Sequence, residues 1–224
     1  MEGIQRTERS RHSITRMAPP MPARWRPVLP IAAVAAVIAL ALAILGEAAG
    51  MPQDIGHLHA LLVSPADGSL WIGTHNGLYQ SSDEGKTWQR VKIPAELAAM
   101  DFMSFAQDPA KPKVLYVGTH NRGVLKTTDG GTTWAQVPGL GNSDVHALAA
   151  DHFNVSQPTR WYAWLVDKGL FRSLGDLDEW KRQDDGPANP DVRVLQSANT
   201  PTGMGGIWLY AGTADGLFRS PDCF

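Results

Sequence analysis

Ser81-Ser82-Asp83-Glu84-Gly85-Lys86-Thr87-Trp88 returns 46 residues later as Thr127-Thr128-Asp129-Gly130-Gly131-Thr132-Thr133-Trp134, two complete matches to Ser/Thr-x-Asp-x-Gly-x-Thr-Trp. A repeat of this length marks one supersecondary unit used several times, so the architecture follows from its period. Each octapeptide reads as a tight hairpin. The carboxylate of Asp83 or Asp129 is placed to accept hydrogen bonds from turn N–H groups that otherwise lack partners. Gly85 and Gly131 supply a positive φ, and Trp88 and Trp134 offer large rings to bury between neighbouring units.

Working outward, the strand-like runs Leu78–Ser81, Val124–Thr127, Leu170–Ser173 and Leu217–Ser220 fall at spacings of 46, 46 and 47, each preceded by a glycine. Upstream of them lie Leu70–Thr74, Leu115–Thr119, Trp161–Trp164 and Leu209–Thr213, rich in aromatic and β-branched residues. A third set, Leu58–Leu61, Phe102–Phe105, Val145–Leu148 and Val192–Leu195, precedes those, and a fourth set begins at Trp88, Trp134 and Trp180. Four short strands per repeat of about 46 residues predict an all-β fold, a β-propeller of four-stranded blades. A sandwich does not repeat strand order and turn chemistry in register, and solenoids have shorter periods.

The third box copy keeps Ser173 and Trp180 but loses the Asp and the Gly, with Asp176 left to make its turn; the fourth holds Ser220 and Asp222 and stops at Phe224. Blade four then lacks its last strand. Three endings are open: a ring closed by residues 51–57, an open array needing a partner, or a truncated copy of a longer propeller. Truncation is the expectation, because an unfinished blade exposes a strand edge that natural proteins avoid.

The chain carries a net charge of −2, but its first 50 residues hold six Arg against three Glu. The remainder is mildly acidic, a poor partner for nucleic acid. Cys223 is the one cysteine, which excludes an internal disulfide and a thiolate metal cluster. Residues 28–46 form an apolar run behind a basic region, 1–27, so the positive-inside rule places the N-terminus inside and residues 51–224 outside the cytoplasm. The run reads equally as a cleaved signal and as a retained membrane anchor, with Gly46-Glu47-Ala48-Ala49-Gly50 offering small residues for cleavage.

The two boxes, the Gly-preceded strands before them and the Leu115-Tyr116-Val117-Gly118-Thr119 strand resemble the BNR or Asp-box repeat proteins. That group includes sialidases, sortilin-type propellers, tandem-propeller xyloglucan hydrolases and exported photosystem II assembly factors. The resemblance implies an Asp-box propeller and leaves function open, since one fold hosts many activities. Sialidases of the group use an arginine triad and an Arg-Ile-Pro motif. Residues 51–84 contain no arginine, and Lys92-Ile93-Pro94 follows the first box, so no sialidase residue carries over.

The candidate binding residues are His75-Asn76 and His120-Asn121, at the turn between second and third strands of adjacent blades, and His59, His146 and Arg193, at one position of the innermost strand. The first set could sit side by side on one rim, or be turn residues inherited from a shared repeat. The second could line a central funnel; with Met103 in the series, two histidines alone make no metal site. Asp101, Asp144 and Asp191 recur before the first strand and read as turn residues, with an acid/base role as the alternative. The expected blades are 57–94, 100–138, 144–185 and 191–224. The expected function is a non-catalytic binding or assembly scaffold for a protein or a glycan, exported or membrane-attached, with no cofactor, metal or nucleic acid. The alternative is a glycoside hydrolase-like protein acting on extracytoplasmic carbohydrate.

Overall fold

The computed structural model describes residues 50–99, 101–151, 158–175, 179–183, 187, 191–198 and 207–220. The chain divides into two compact units, Met1–Gly46 and Glu47–Phe224, and every described residue belongs to the second. The basic region and apolar run expected to form a leader lie outside the described residues. Among the described residues no helix is long and apolar enough to cross a membrane.

Four antiparallel sheets follow one another along the chain as the blades of a four-bladed propeller. Blade one holds β1 (Leu58–Val63), β2 (Leu70–Thr74), β3 (Gly77–Ser81) and β4 (Gln89–Arg90). Blade two holds β5 (Phe102–Gln107), β6 (Leu115–Thr119), β7 (Val124–Thr127) and β8 (Ala135–Gln136). Blade three holds β9 (Val145–Asp151), β10 (Arg160–Leu165), β11 (Gly169–Leu174) and β12 (Lys181–Gln183). Blade four has β13 (Val192–Ala198), β14 (Trp208–Thr213) and β15 (Gly216–Arg219) among the described residues. Strand order within each sheet is the sequence order, so every connection is a hairpin. A 3-10 turn, Ala95–Leu97, leads from blade one to blade two.

The second strands read as continuous apolar runs because both their faces are covered; all five residues of β6 are buried. Three apolar cores fill the spaces between successive blades. Trp71 and Leu78 of blade one meet Phe102, Val117 and Leu125 of blade two. Tyr116 and Val124 of blade two meet Trp161 and Leu165 of blade three, with the Tyr116 and Trp161 ring centroids 3.9 Å apart. Tyr162, Trp164 and Leu170 of blade three meet Ile207 and Leu209 of blade four. Among the described residues no such core joins blade four to blade one. Leu61 and Val63 of β1 and Leu217 of β15 stay exposed.

The two octapeptides form the same hairpin. Asp83 Oδ1 accepts from the Thr87 N–H at 2.8 Å and from the Ser81 hydroxyl at 2.8 Å, and its Oδ2 accepts from the Thr87 hydroxyl at 2.6 Å. The Gly85 N–H donates to Ser81 Oγ and the Trp88 indole N–H to the Gly85 carbonyl. Thr127, Asp129, Gly131, Thr133 and Trp134 repeat each of these bonds within about 0.1 Å. Gly85 and Gly131 have φ of +86° and +91°, as the turn requires. A Cβ on Gly131 would stand 2.6 Å from the Trp71 indole, so the blade-two hairpin is pressed against blade one. Trp134 is accordingly buried, whereas Trp88, for which no such core partner lies among the described residues, is only half-buried.

The segment before blade one does not extend blade four: Gly50 pairs with Thr87 of the blade-one hairpin, and the Asp54 carbonyl accepts from the Asn76 amide. The degenerate third copy turns at Gly175, φ +63°, whose N–H donates to the Thr159 carbonyl, while Asp176 lies outside the described residues. Its Ser173 hydroxyl is buried without a hydrogen-bond partner among the described residues. In the fourth copy Ser220 pairs with Leu209, backbone to backbone, and Asp222 lies outside the described residues.

Candidate functional site

All four first strands carry a break in register at one position. Pairing skips between Leu58 and Ala60 in β1, Phe102 and Ser104 in β5, Val145 and Ala147 in β9, and Val192 and Val194 in β13. The extra residue is His59, Met103, His146 and Arg193 in turn. A bulge leaves its residue out of the ladder and re-aims its side chain. Here all four line one central cavity of about 330 Å³.

The turn between second and third strands meets the start of the first strand of its own blade. His75 N–H donates to the His57 carbonyl, and the equivalent His120 N–H donates to the Asp101 carbonyl. In the same series Val166 N–H donates to the Asp144 carbonyl. This register holds Asp101 beneath the turn of blade two while its side chain reaches back to blade one. Asp101 has φ +54°, an uncommon conformation for a residue other than glycine, and its Oδ1 contacts His75 Nδ1. One blade on, Asp144 Oδ2 lies 3.3 Å from His120 Nδ1. The aspartates are thus more than turn residues: each ties a turn histidine of the preceding blade.

A bulged histidine completes each pair. His59 Nε2 lies 3.2 Å from His75 Nδ1 and 3.8 Å from Asp101 Oδ1. His146 Nε2 lies 3.1 Å from Asp144 Oδ1. The structure therefore joins each turn histidine to a funnel histidine, where the sequence reading groups His75 with His120. The chain of His–Asp bridges ends where Val166 replaces the turn histidine, and Asp191 pairs instead with Arg193 at 2.8 Å. Hydrogen bonding from Arg193 holds the Asp191 carboxyl below its ordinary range. His59 is pushed below the ordinary histidine value first by burial and then by His75, so at neutral pH its imidazole is uncharged.

Asn76 and Asn121 have different fates. The Asn76 side chain anchors residue 54 and its carbonyl accepts from Arg90, a structural role, while Asn121 sits half-buried in the blade-two turn. Beside His75 a second cavity, of about 630 Å³, opens between blades one and two, with Arg90 and Lys92 at its polar side and Ile93 and Phe102 on its apolar side.

No family model matches the chain. Over 76 residues, 31% of this chain and 9% of the relative, the sequence is 43% identical to an oligoxyloglucan-reducing end-specific xyloglucanase of Neosartorya fischeri. Over 102 residues, 43% of this chain and 12% of the relative, it is 26% identical to the xyloglucanase Xgh74A of Acetivibrio thermocellus. The chain spans about a tenth of the length of these curated relatives. Among solved structures it is similar to an ancestral GH74 enzyme, with a TM-score of 0.56 and 17% identity over 74% of this chain and 23% of that one. At that identity the likeness concerns the fold, and the fold is a β-propeller.

Proposed function

We propose that the chain is a glycoside hydrolase-like propeller of the Asp-box group that engages a β-glucan of the xyloglucan class outside the cytoplasm. The observation that carries this reading is the 43% identity over 76 residues to a xyloglucanase. The cavity beside His75 supports it, since convergent polar groups over an apolar wall suit a sugar ring. The duplicated box hairpin supports the Asp-box assignment, and the basic region ahead of an apolar run supports export or membrane attachment. Glycoside hydrolysis takes two carboxylates, one donating a proton to the leaving oxygen and one activating water or attacking carbon. Asp101 and Asp144 are the repeat-related pair on this rim, and each is hydrogen-bonded or ion-paired to histidine. That engagement favours a second reading, glycan binding without cleavage, which keeps the scaffold role.

The test is to offer the full chain xyloglucan, a mixed-linkage glucan and chitin oligosaccharides, measuring binding by calorimetry and cleavage by new reducing ends. Release from xyloglucan, lost at least about 100-fold in Asp101→Asn or Asp144→Asn, is the expected result for a hydrolase. Binding of xyloglucan without release selects the second reading. Absence of binding to every glucan would overturn both.

A further inference from the structure

We propose that the two His–Asp clusters are divalent transition-metal sites, one at the seam between blades one and two and one at the seam between blades two and three. The first set is His59 Nε2, His75 Nδ1 and an Asp101 oxygen; the second is His120 Nδ1, His146 Nε2 and an Asp144 oxygen. Within each set the ligand atoms all lie within 4.8 Å of one another. The assignment shares His75, Asp101 and Asp144 with the glycan reading, but it is tested by metal content and needs no glycan.

The argument begins with protons. In the first cluster three lone-pair-bearing atoms converge, and His75 Nδ1 faces both His59 Nε2 and Asp101 Oδ1. If His75 Nδ1 carries a proton, that one proton must serve both neighbours; if it does not, its lone pair faces the Asp101 carboxylate. A cation at the point of convergence accepts from all three. In the second cluster His146 Nε2 and Asp144 Oδ1 are sealed from solvent 3.1 Å apart, and neither makes a hydrogen bond among the described residues. Buried polar atoms that make no hydrogen bond are uncommon, and a pair that faces each other in this way suits an ion or a water between them.

The separations fit. Metal–nitrogen and metal–oxygen bonds of roughly 2.0–2.2 Å place neighbouring ligand atoms about 2.9 Å apart at a right angle and about 3.4 Å apart at a tetrahedral one. The clusters show 3.2 Å for His59–His75, 3.1 Å for His146–Asp144 and 3.3 Å for His120–Asp144, while His59–Asp101, at 3.8 Å, would have to close on a bound ion. Two imidazoles and one carboxylate select zinc, cobalt, nickel or ferrous iron over calcium and magnesium, which take oxygen sets. Three protein ligands leave coordination positions free, and the exposed flanks of His75 and His120 put those positions in reach of solvent. Each metal would bind ligands from two blades, so it would also clamp a seam.

The site is duplicated but not copied. In both sets the turn histidine comes from one blade and the aspartate from the next, whereas the bulged histidine belongs to the earlier blade in the first set and to the later in the second. Met103 and Arg193 fill the remaining two bulge positions, and an arginine at the fourth repels a cation. Two sites, rather than four, follow.

The experiment uses the untagged full chain, stripped with EDTA and then dialysed against Zn²⁺ or Co²⁺. Two equivalents of bound metal by mass spectrometry, with Co²⁺ absorption bands of a nitrogen/oxygen site, are expected. His75→Ala and His120→Ala should each lose one equivalent, and the double variant both. Metal at about 100 times its dissociation constant should raise Tm by about 5–10 °C per site in the parent chain and leave the double variant unmoved. Because that shift is read on each protein with and without metal, a variant destabilised by itself still reports. One equivalent or none in the parent chain, or unchanged stoichiometry in the double variant, would overturn the assignment.

Discussion

At the scale of single residues, Asp83 and Asp129 govern the response to acid. Each carboxyl is held at about 2, first by the hydroxyl of Thr87 or Thr133 and then by the same residue's N–H. A carboxyl lowered on folding contributes stability that is complete above its unfolded value near 4 and disappears as pH falls toward 2. The hairpins should therefore weaken across that window, with both carboxylates solvent-facing enough to titrate freely. In urea unfolding followed from pH 5 to pH 2, the midpoint should fall steeply for the parent chain. Asp83→Asn with Asp129→Asn should begin lower at pH 5 and fall less. An equally steep fall in the double variant would assign the acid sensitivity to other carboxylates.

At the scale of the element, the box hairpin and the bulged strand differ in how much of each could be read beforehand. The hairpin is local: donor, acceptor and positive-φ glycine all lie within eight residues, and Asp83 and Asp129 each accept a turn N–H together with a threonine hydroxyl that the sequence reading does not name. The site is not local. His75 and Asp101 are 26 residues apart, and what joins them is the backbone bond that tucks each first-strand start under the next turn. The bulge at His59, Met103, His146 and Arg193 left no mark in the pattern, since those residues share a repeat position but no chemistry. A signal was present in the recurrence of turn histidine followed by aspartate at near-equal spacing, read there as two separate sets. The third hairpin makes an element-scale prediction. Ser81 Oγ accepts the Gly85 N–H, so Ser81→Ala strands a buried donor and should cost about 1–3 kcal/mol. Ser173 is as buried but no such donor lies among the described residues, so Ser173→Ala should change stability by less than about 0.5 kcal/mol or raise it. Equal losses in chemical denaturation would mean the third hairpin is stapled after all.

At the scale of the whole propeller, the four first strands enclose a shared cavity while only three of the four spaces between blades hold an apolar core among the described residues. Blades two and three are packed on both faces, and blades one and four on one. Local opening costs least where few apolar contacts are broken, so stability should be graded along the chain. The gradient is visible in the strands themselves: every residue of β6 is buried, whereas every residue of β15 is exposed, Leu217 to 74%. Native-state hydrogen exchange should find the slowest amides in β6 and β10, opening only with global unfolding. Those of β15 and β1 should exchange through local opening, independent of the denaturant slope that marks global exposure. If β15 were instead as protected as β6, residues beyond those described would have to cover it, and the space between blades four and one would be a fourth core. The same measurement repeated with Zn²⁺ separates packing from clamping. Metal bound at the first two seams should slow exchange in β1, which neighbours His59 and His75, and leave β15 unchanged.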